Sequence, residues 1–175
     1  MSLDILLTSD THFDHSNVIE YEQRPFKNKL EMTSILIDNW NSVVKPNDLI
    51  FHLGDAFFCN AERMEKISNQ LNGRKILIRG NHDKRYTNTK FKRLGFDVYN
   101  YYLINNMLLS HYPQSETPLR VAIKSTDLIG NVHGHVHSKI DNLDQKIYKC
   151  VSVEMTNYKP IYIQEVMNHF LNGQS

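Results

Sequence analysis

Five short segments place imidazoles, carboxylates and one amide where apolar runs end. They are Asp10-Thr11-His12, Gly54-Asp55, Gly80-Asn81-His82-Asp83, Ser110-His111 and Gly134-His135-Val136-His137. Hard and borderline donors without cysteine suit a divalent transition metal, with Mn²⁺ the first expectation and Fe, Zn²⁺, Ni²⁺ or Co²⁺ the others. Asp10, His12, Asp55, Asn81, His111, His135 and His137 together are too many ligands for one ion. They suffice for two if one carboxylate bridges. Two ions roughly 3.5–4 Å apart can hold a hydroxide between them and clamp an in-line displacement at phosphorus. Asp-x-His and His-x-His place two side chains on the same side of an extended chain, because the strand period is two. Glycine before Asp55 and Asn81 lets the backbone come close to what sits there.

Such ligands need elements that bring their segments together. Ile5 to Thr8, Leu49 to Leu53 and Lys75 to Arg79 read as buried strands. Leu30 to Val44 and Asn60 to Leu71 carry helical apolar spacing between them, stopped by Pro46 and by Asn72-Gly73. A short helix is expected before Pro25, and another over Thr87 to Leu94. Strand candidates follow at Phe96 to Tyr102, Met107 to Ser110, Asp127 to Val132, Lys146 to Val153 and Pro160 to Val166, the last grading into a C-terminal helix near Asn172-Gly173. Ile104-Asn105-Asn106 reads as the turn of a hairpin. Alternating strands and helices followed by consecutive strands predict an α/β fold of two packed mixed β-sheets flanked by helices. In such a sandwich, strand ends and the loops after them converge on one edge.

The chain has 175 residues, 20 Lys plus Arg against 19 Asp plus Glu, and a net charge of +1. The length fits one domain over residues 1–175. The charge gives no support for an obligatory grip on long nucleic acid. Cys59 and Cys150 read as free thiols in a reducing compartment. No run reaches membrane-spanning length, so a cytoplasmic location without membrane attachment is expected, and oligomeric state is left open.

The order Asp-x-His, Gly-Asp, Gly-Asn-His-Asp, His, Gly-His-x-His resembles the calcineurin-like metallophosphoesterase superfamily, from Asp10 to His137. The stretch Thr8 to Asn17, with Arg24-Pro25-Phe26 and Asn39-Trp40-Asn41, is similar to its small bacterial and phage members without a cap domain. That subgroup leads one to expect glycine at position 14, where this chain has Asp14, a change that could alter what fits beside the metals. The resemblance implies a four-layer α/β/β/α sandwich. It also implies that Asp10, His12 and His137 bind one ion, that Asn81, His111 and His135 bind the other, and that Asp55 bridges. His82 would contact the phosphate and protonate the leaving oxygen, a task suited to imidazole. Asp83 would orient His82.

Beyond that set, His15 and Asn17 are candidates for phosphate contact, with a polar, helix-capping loop as the alternative. Arg24, Arg79, Lys84 and Arg85 are candidates for substrate contact, with solvated surface charge as the alternative. His52 reads as core and His133 as packed or supporting a ligand. Trp40 and the tyrosines at 99, 101 and 102 also read as core. The expected activity is hydrolysis of a phosphodiester of nucleotide size. Phosphomonoesterase and nuclease are the alternatives within that chemistry. A metal- or nucleotide-binding module without turnover is the alternative outside it.

Overall fold

A computed structural model describes residues 3–173. The first sheet holds β1 (Ile5–Thr8), β2 (Leu49–His52), β3 (Arg74–Ile78), β4 (Phe96–Tyr99) and β9 (Ile161–Tyr162), in the order β4-β3-β2-β1-β9. Its strands run parallel except β9, which pairs antiparallel with β1. The second holds β5 (Tyr101–Ile104), β6 (Met107–Ser110), β7 (Gly130–His133) and β8 (Tyr148–Cys150), in that order. Here β6, β7 and β8 are parallel and β5 is the antiparallel edge.

Strand alternation sorts the apolar side chains into layers. Leu6, Ile50 and Leu77 face one way and pack with Met32, Leu36 and Trp40 of α2 (Lys29–Val43), Met64 and Ile67 of α3 (Ala61–Ser68), and Phe91 of α4 (Asn88–Arg93). Their neighbours Leu7, Phe51, Ile76 and Ile78 face the second sheet and meet Met107, Leu109 and Val132. Val166 and Phe170 of α6 (Ile163–Gly173) close this inner layer. On the far face, Leu119 of α5 (Glu116–Ser125) packs on Ile147 and Tyr148. The result is the expected sandwich of two mixed sheets between helices. Asn28 starts α2 by accepting the N–H groups of Leu30 and Glu31 at 3.0 Å, and Asn60 starts α3 by accepting that of Arg63 at 2.9 Å.

Two expectations are corrected. The run Phe96 to Tyr102 is not one strand: the chain leaves the first sheet after β4 and enters the second at β5, with Asn100 between them. Both pieces are edge strands, so Tyr99 and Tyr101 are exposed and not core. Helix α5 was not anticipated. Trp40 is core as expected, its indole N–H donating to the Asn72 carbonyl at 2.9 Å.

His52, at the end of β2, is buried between the Gly54 N–H, which it accepts at Nδ1, and Thr11 Oγ1, 2.9 Å from its Nε2. Because Nδ1 accepts, Nε2 carries the hydrogen, and Thr11 passes its own hydrogen to the Ala56 carbonyl at 2.9 Å. Burial pushes the His52 imidazole from 6.5 down to about 3, against the pull of Asp55. A group with a depressed folded-state pKa stabilises the fold above its unfolded value, and that stability is lost as pH falls. The window for His52 therefore runs from 6.5 down to about 3. Between pH 6.5 and 5 its share of the loss is about 2 kcal/mol at 1.36 kcal/mol per pH unit. Urea unfolding of wild type and His52→Gln at those two pH values measures it. An equal acid sensitivity in both proteins would refute the assignment.

Candidate metal centre

The C-terminal ends of β1, β2, β3, β6 and β7 lead directly into the five segments that carry the candidate ligands. Strands run parallel within each set, so their ends face one edge of the sandwich. Cross-bonds then stitch the loops together. Asp10 and His12 donate their N–H groups to the carbonyls of Gly54 and Asp55, each at 3.0 Å, and Gly134 donates to His111 at 3.0 Å. Val153, beyond β8, donates to the Ser9 carbonyl at 3.1 Å and so ties the second sheet to the first.

Two clusters of ligand atoms result: Asp10, His12 and His137, and Asp55, His111 and His135, each with its atoms within 4.8 Å of one another. Asn81 joins the second cluster, its Oδ1 lying 3.0 Å from His111 Nε2. Asp55 Oδ2 lies between the clusters, 3.8 Å from His12 Nε2 and 3.5 Å from His111 Nε2. All seven expected ligands thus meet at one place.

The backbone that presents them is unusual. Asp10, His12, Asp55, His135 and His137 all have left-handed φ, between 47° and 67°. Asp and His tolerate this region better than most side chains, but each such residue still costs on the order of 1 kcal/mol and persists only where its surroundings over-determine it. Strand alternation is therefore not what pairs the side chains of Asp-x-His and His-x-His. The paired side chains are brought together by alternating left-handed residues, not by the pleat of a strand. Asp14 continues the series at φ 68°, which accounts for glycine being the expected residue there. Its carboxylate lies 3.6 Å from Lys29 and 3.7 Å from Arg63, and Asp14 is not among the residues that line the cleft.

Close approach is needed at the glycines of these segments, Gly54 among them, where a Cβ would lie 2.5 Å from His111 Nδ1. A Cβ on Gly80 would overlap the Asp55 carboxylate and amide, and one on Gly134 would overlap Ser9 and the Asp10 carboxylate.

The donor set fits metal ions. The His12 ring is buried, yet neither of its nitrogens has a hydrogen-bond partner, and Asp10 Oδ1 is likewise buried and unpaired. Orphaned buried polar atoms cost about 1–3 kcal/mol each unless something binds them. Burial holds the His12 imidazole well below its ordinary value, so its lone pair is available. The other candidate ligands are aimed by their second atoms. His111 Nδ1 is 2.7 Å from the Leu53 carbonyl, leaving Nε2 for the cluster. Asp10 Oδ2 accepts from Ser152 Oγ at 2.8 Å and from the His135 N–H at 2.9 Å. Burial alone would raise the Asp55 carboxyl, but the neighbouring imidazoles of His111 and His12 carry it down to about 2.

His82 opens a 3-10 turn, His82–Arg85, with its ring partly exposed and Nε2 3.9 Å from Asp55 Oδ2. Its N–H donates to Asp55 Oδ1 at 2.9 Å. Asp83 is not placed as expected. Its buried carboxylate accepts the N–H groups of Asp55 and Gly80 at Oδ2 (2.8 and 2.9 Å) and of Ala56 at Oδ1 (3.1 Å). Among the described residues no hydrogen bond joins it to the His82 ring. It orders the loops and not the imidazole.

The expected substrate contacts divide. His15 lines the cleft and stacks on Phe58, ring centroids 3.7 Å apart, and burial pushes its imidazole down to about 4. Arg85 lies over the same Phe58 ring at 4.0 Å, with no ion pair among the described residues. Phe58 is also edge-on to His82, and the motif pattern did not mark it. Asn17 begins α1 (Asn17–Tyr21) on the exposed surface, 3.4 Å from Tyr21 Oη. Arg24 is corrected outright. Its side chain is 0% exposed and lies beneath the ligands, donating to the carbonyls of Asp10 and Thr11 and to Glu154. It is unable to reach a substrate. Arg79 is also engaged, bonded to the carbonyls of Asp83 and Tyr86 and to Asn88. His133 is buried, as expected of a packed residue.

The cleft over these residues has a volume of about 200 Å³ and is lined by His12, His15, Asp55, Asn81, His82 and the two histidines of the last motif, together with Val18, Tyr21 and Glu22.

Comparison with known proteins agrees with this geometry. The family model of the calcineurin-like phosphoesterases matches residues 3–172. An uncharacterized protein of Methanocaldococcus jannaschii is 36% identical over 179 residues, 97% of this chain and 93% of its own length. A crystal structure of a protein of unknown function from Aquifex aeolicus superposes with a TM-score of 0.74 at 30% identity, covering 95% of this chain and 99% of that one. The nuclease MPE of Pseudomonas putida shares the fold, with a TM-score of 0.51 at 20% identity over 76% of this chain and 61% of that one. From the spacing of its candidate ligands to the course of its sheets, this chain belongs to the calcineurin-like phosphoesterase family.

Proposed function

We propose that the protein hydrolyses phosphodiesters of nucleotide size with two divalent ions, Mn²⁺ first among them, held by Asp10, His12 and His137 on one side and Asn81, His111 and His135 on the other, with Asp55 between. The observation that carries the reading is the meeting of two ligand clusters at Asp55 Oδ2, with His82 Nε2 3.9 Å from the same oxygen. When bound, the ions supply charge compensation for the phosphoryl oxygens and a nucleophile made from water.

The chain's own residues supply the rest. His82 faces the cleft and protonates the leaving oxygen, and its N–H bond to Asp55 keeps it in register with the ligands. His15, kept neutral by burial and braced by Phe58, forms a wall of the cleft without adding charge. Among the described residues, no lysine or arginine lines the cleft. A monoester dianion calls for such cations more than a diester monoanion does. The exposed Tyr21 offers a leaving group an aromatic surface. The net charge of +1 favours a small substrate over long nucleic acid. No helix among the described residues is long and apolar enough to cross a membrane.

The test is turnover of a chromogenic phosphodiester beside the matching monoester, with Mn²⁺ loaded. Diester preference is expected, a reversed ratio would favour a monoesterase, and no turnover of either at full metal occupancy would defeat the hydrolase reading. His82→Ala lowers kcat by about 10²–10⁴ with bound metal unchanged, as loss of a general acid does. A variant that loses metal along with activity would show His82 to be a ligand instead.

A further inference from the structure

Beneath the candidate ligands lies a buried ion pair, Arg24 and Glu154. Arg24 donates through Nε and Nη2 to Glu154 Oε1, at 2.8 and 2.7 Å. The two residues are 130 apart in sequence, and their side chains are 0% and 6% exposed. The guanidinium also donates to the carbonyls of Asp10, at 2.6 Å, and Thr11, at 2.9 Å. The same Glu154 oxygen lies 2.9 Å from His137 Nδ1. An ionised carboxylate only accepts, so Nδ1 carries the hydrogen and His137 Nε2 is left with its lone pair towards the cluster.

Apart from a contact of Arg24 Nη1 with Met32 Sδ at 3.4 Å, the side-chain hydrogen bonds of the pair fall on one cluster. The pair holds the left-handed backbone of Asp10, the carbonyl just before His12, and the ring of His137. Among the described residues, no hydrogen bond joins it to Asp55, Asn81, His111 or His135. In the other cluster His111 is oriented by a neutral carbonyl, that of Leu53. A buried ion pair contributes little net stability compared with an apolar replacement of the same shape. A carboxylate behind a ligating imidazole, by contrast, fixes its orientation and raises its basicity.

We propose that Arg24 and Glu154 are positioning residues for the ion held by Asp10, His12 and His137, and set its affinity separately from that of the other ion. The inference rests on the two-ion reading above and adds an asymmetry between the sites. Glu154→Gln keeps the shape and the acceptor but removes the charge. Glu154→Ala also frees His137 and leaves Arg24 unpaired.

The experiment is a Mn²⁺ titration of the metal-free full chain by equilibrium dialysis, with electron paramagnetic resonance separating lone from coupled ions and circular dichroism reporting the fold. Wild type is expected to bind two ions. In Glu154→Gln one dissociation constant rises by about 10–100-fold, the usual effect of losing such a partner, while the other is unchanged. The resonance signal of a lone ion then persists at concentrations that couple the ions in wild type. Glu154→Ala exceeds this effect if it folds; if it does not, Glu154→Gln decides alone. Folded variants whose two constants are both unchanged, or shift together, overturn the proposal and leave the two-ion reading standing. Wild type that binds no Mn²⁺ overturns both.

Discussion

Asp55→Asn is expected to lower turnover by at least about three orders of magnitude and to reduce bound metal below two ions per chain. Ions that act at phosphorus contribute several kcal/mol, and each 1.36 kcal/mol is a factor of ten in rate. Both carboxylate oxygens are committed. Oδ2 faces His12, His82 and His111 at 3.8, 3.9 and 3.5 Å, and Oδ1 accepts the His82 N–H. An amide leaves one of these faces with hydrogens. If the NH₂ group replaces Oδ2, donors point into the space where two clusters need an acceptor. If it replaces Oδ1, it opposes the His82 N–H. The backbone is spared, because asparagine accepts the left-handed φ of 57° as readily as aspartate does. The metal-free variant should therefore fold, and its loss is one of metal and rate. Metal analysis beside the diester assay checks this. An Asp55→Asn protein that still carries two ions would show that Asp55 does not join the clusters.

Much of the molecule could be read from residue order, because the ligands sit where apolar runs stop and a sheet sandwich gathers such points on one edge. The physical basis of their pairing could not. Asp10-x-His12 looks like strand alternation on paper, whereas the chain makes the same juxtaposition with left-handed residues, and sequence spacing does not distinguish the two. Asp14 was the one hint, a residue where glycine was expected and φ proves positive. Supporting groups were hidden for a different reason. Arg24 resembles any surface charge, and Glu154 follows His137 by 17 residues with no spacing rule to link them. Only the fold sets one against the other. Helix α5 buries little besides Leu119 and carries Pro118 in its first turn, where proline is tolerated, so its apolar stripe is too thin to read. The crossing at Asn100 escaped because an extended chain that changes sheets keeps its period.

Asp83→Ala separates two roles that adjacent residues in one motif could share. If Asp83 served the His82 ring, its loss would cost activity and spare the fold. The structure points the other way. Its carboxylate is 0% exposed and gathers three backbone N–H groups from two loops, those of Asp55, Ala56 and Gly80. The His82 N–H returns the link by donating to Asp55, and Arg79 braces the turn through the carbonyls of Asp83 and Tyr86. Alanine leaves the three donors buried and unpaired. At about 1–3 kcal/mol each, less what relaxation and water recover, the loss is on the order of 3–6 kcal/mol. That is a large part of an ordinary folding stability of about 5–15 kcal/mol. For a chain of this size it lowers the melting temperature by about 10–20 °C. The ligands on those loops, Asp55 and Asn81, lose their places together, so metal binding weakens as the fold does. His82→Ala should show the opposite pattern, a rate lost with melting temperature and metal intact. Melting curves of the two variants beside wild type decide between the roles. An Asp83→Ala protein that melts with wild type and has lost only rate would return Asp83 to the service of the imidazole.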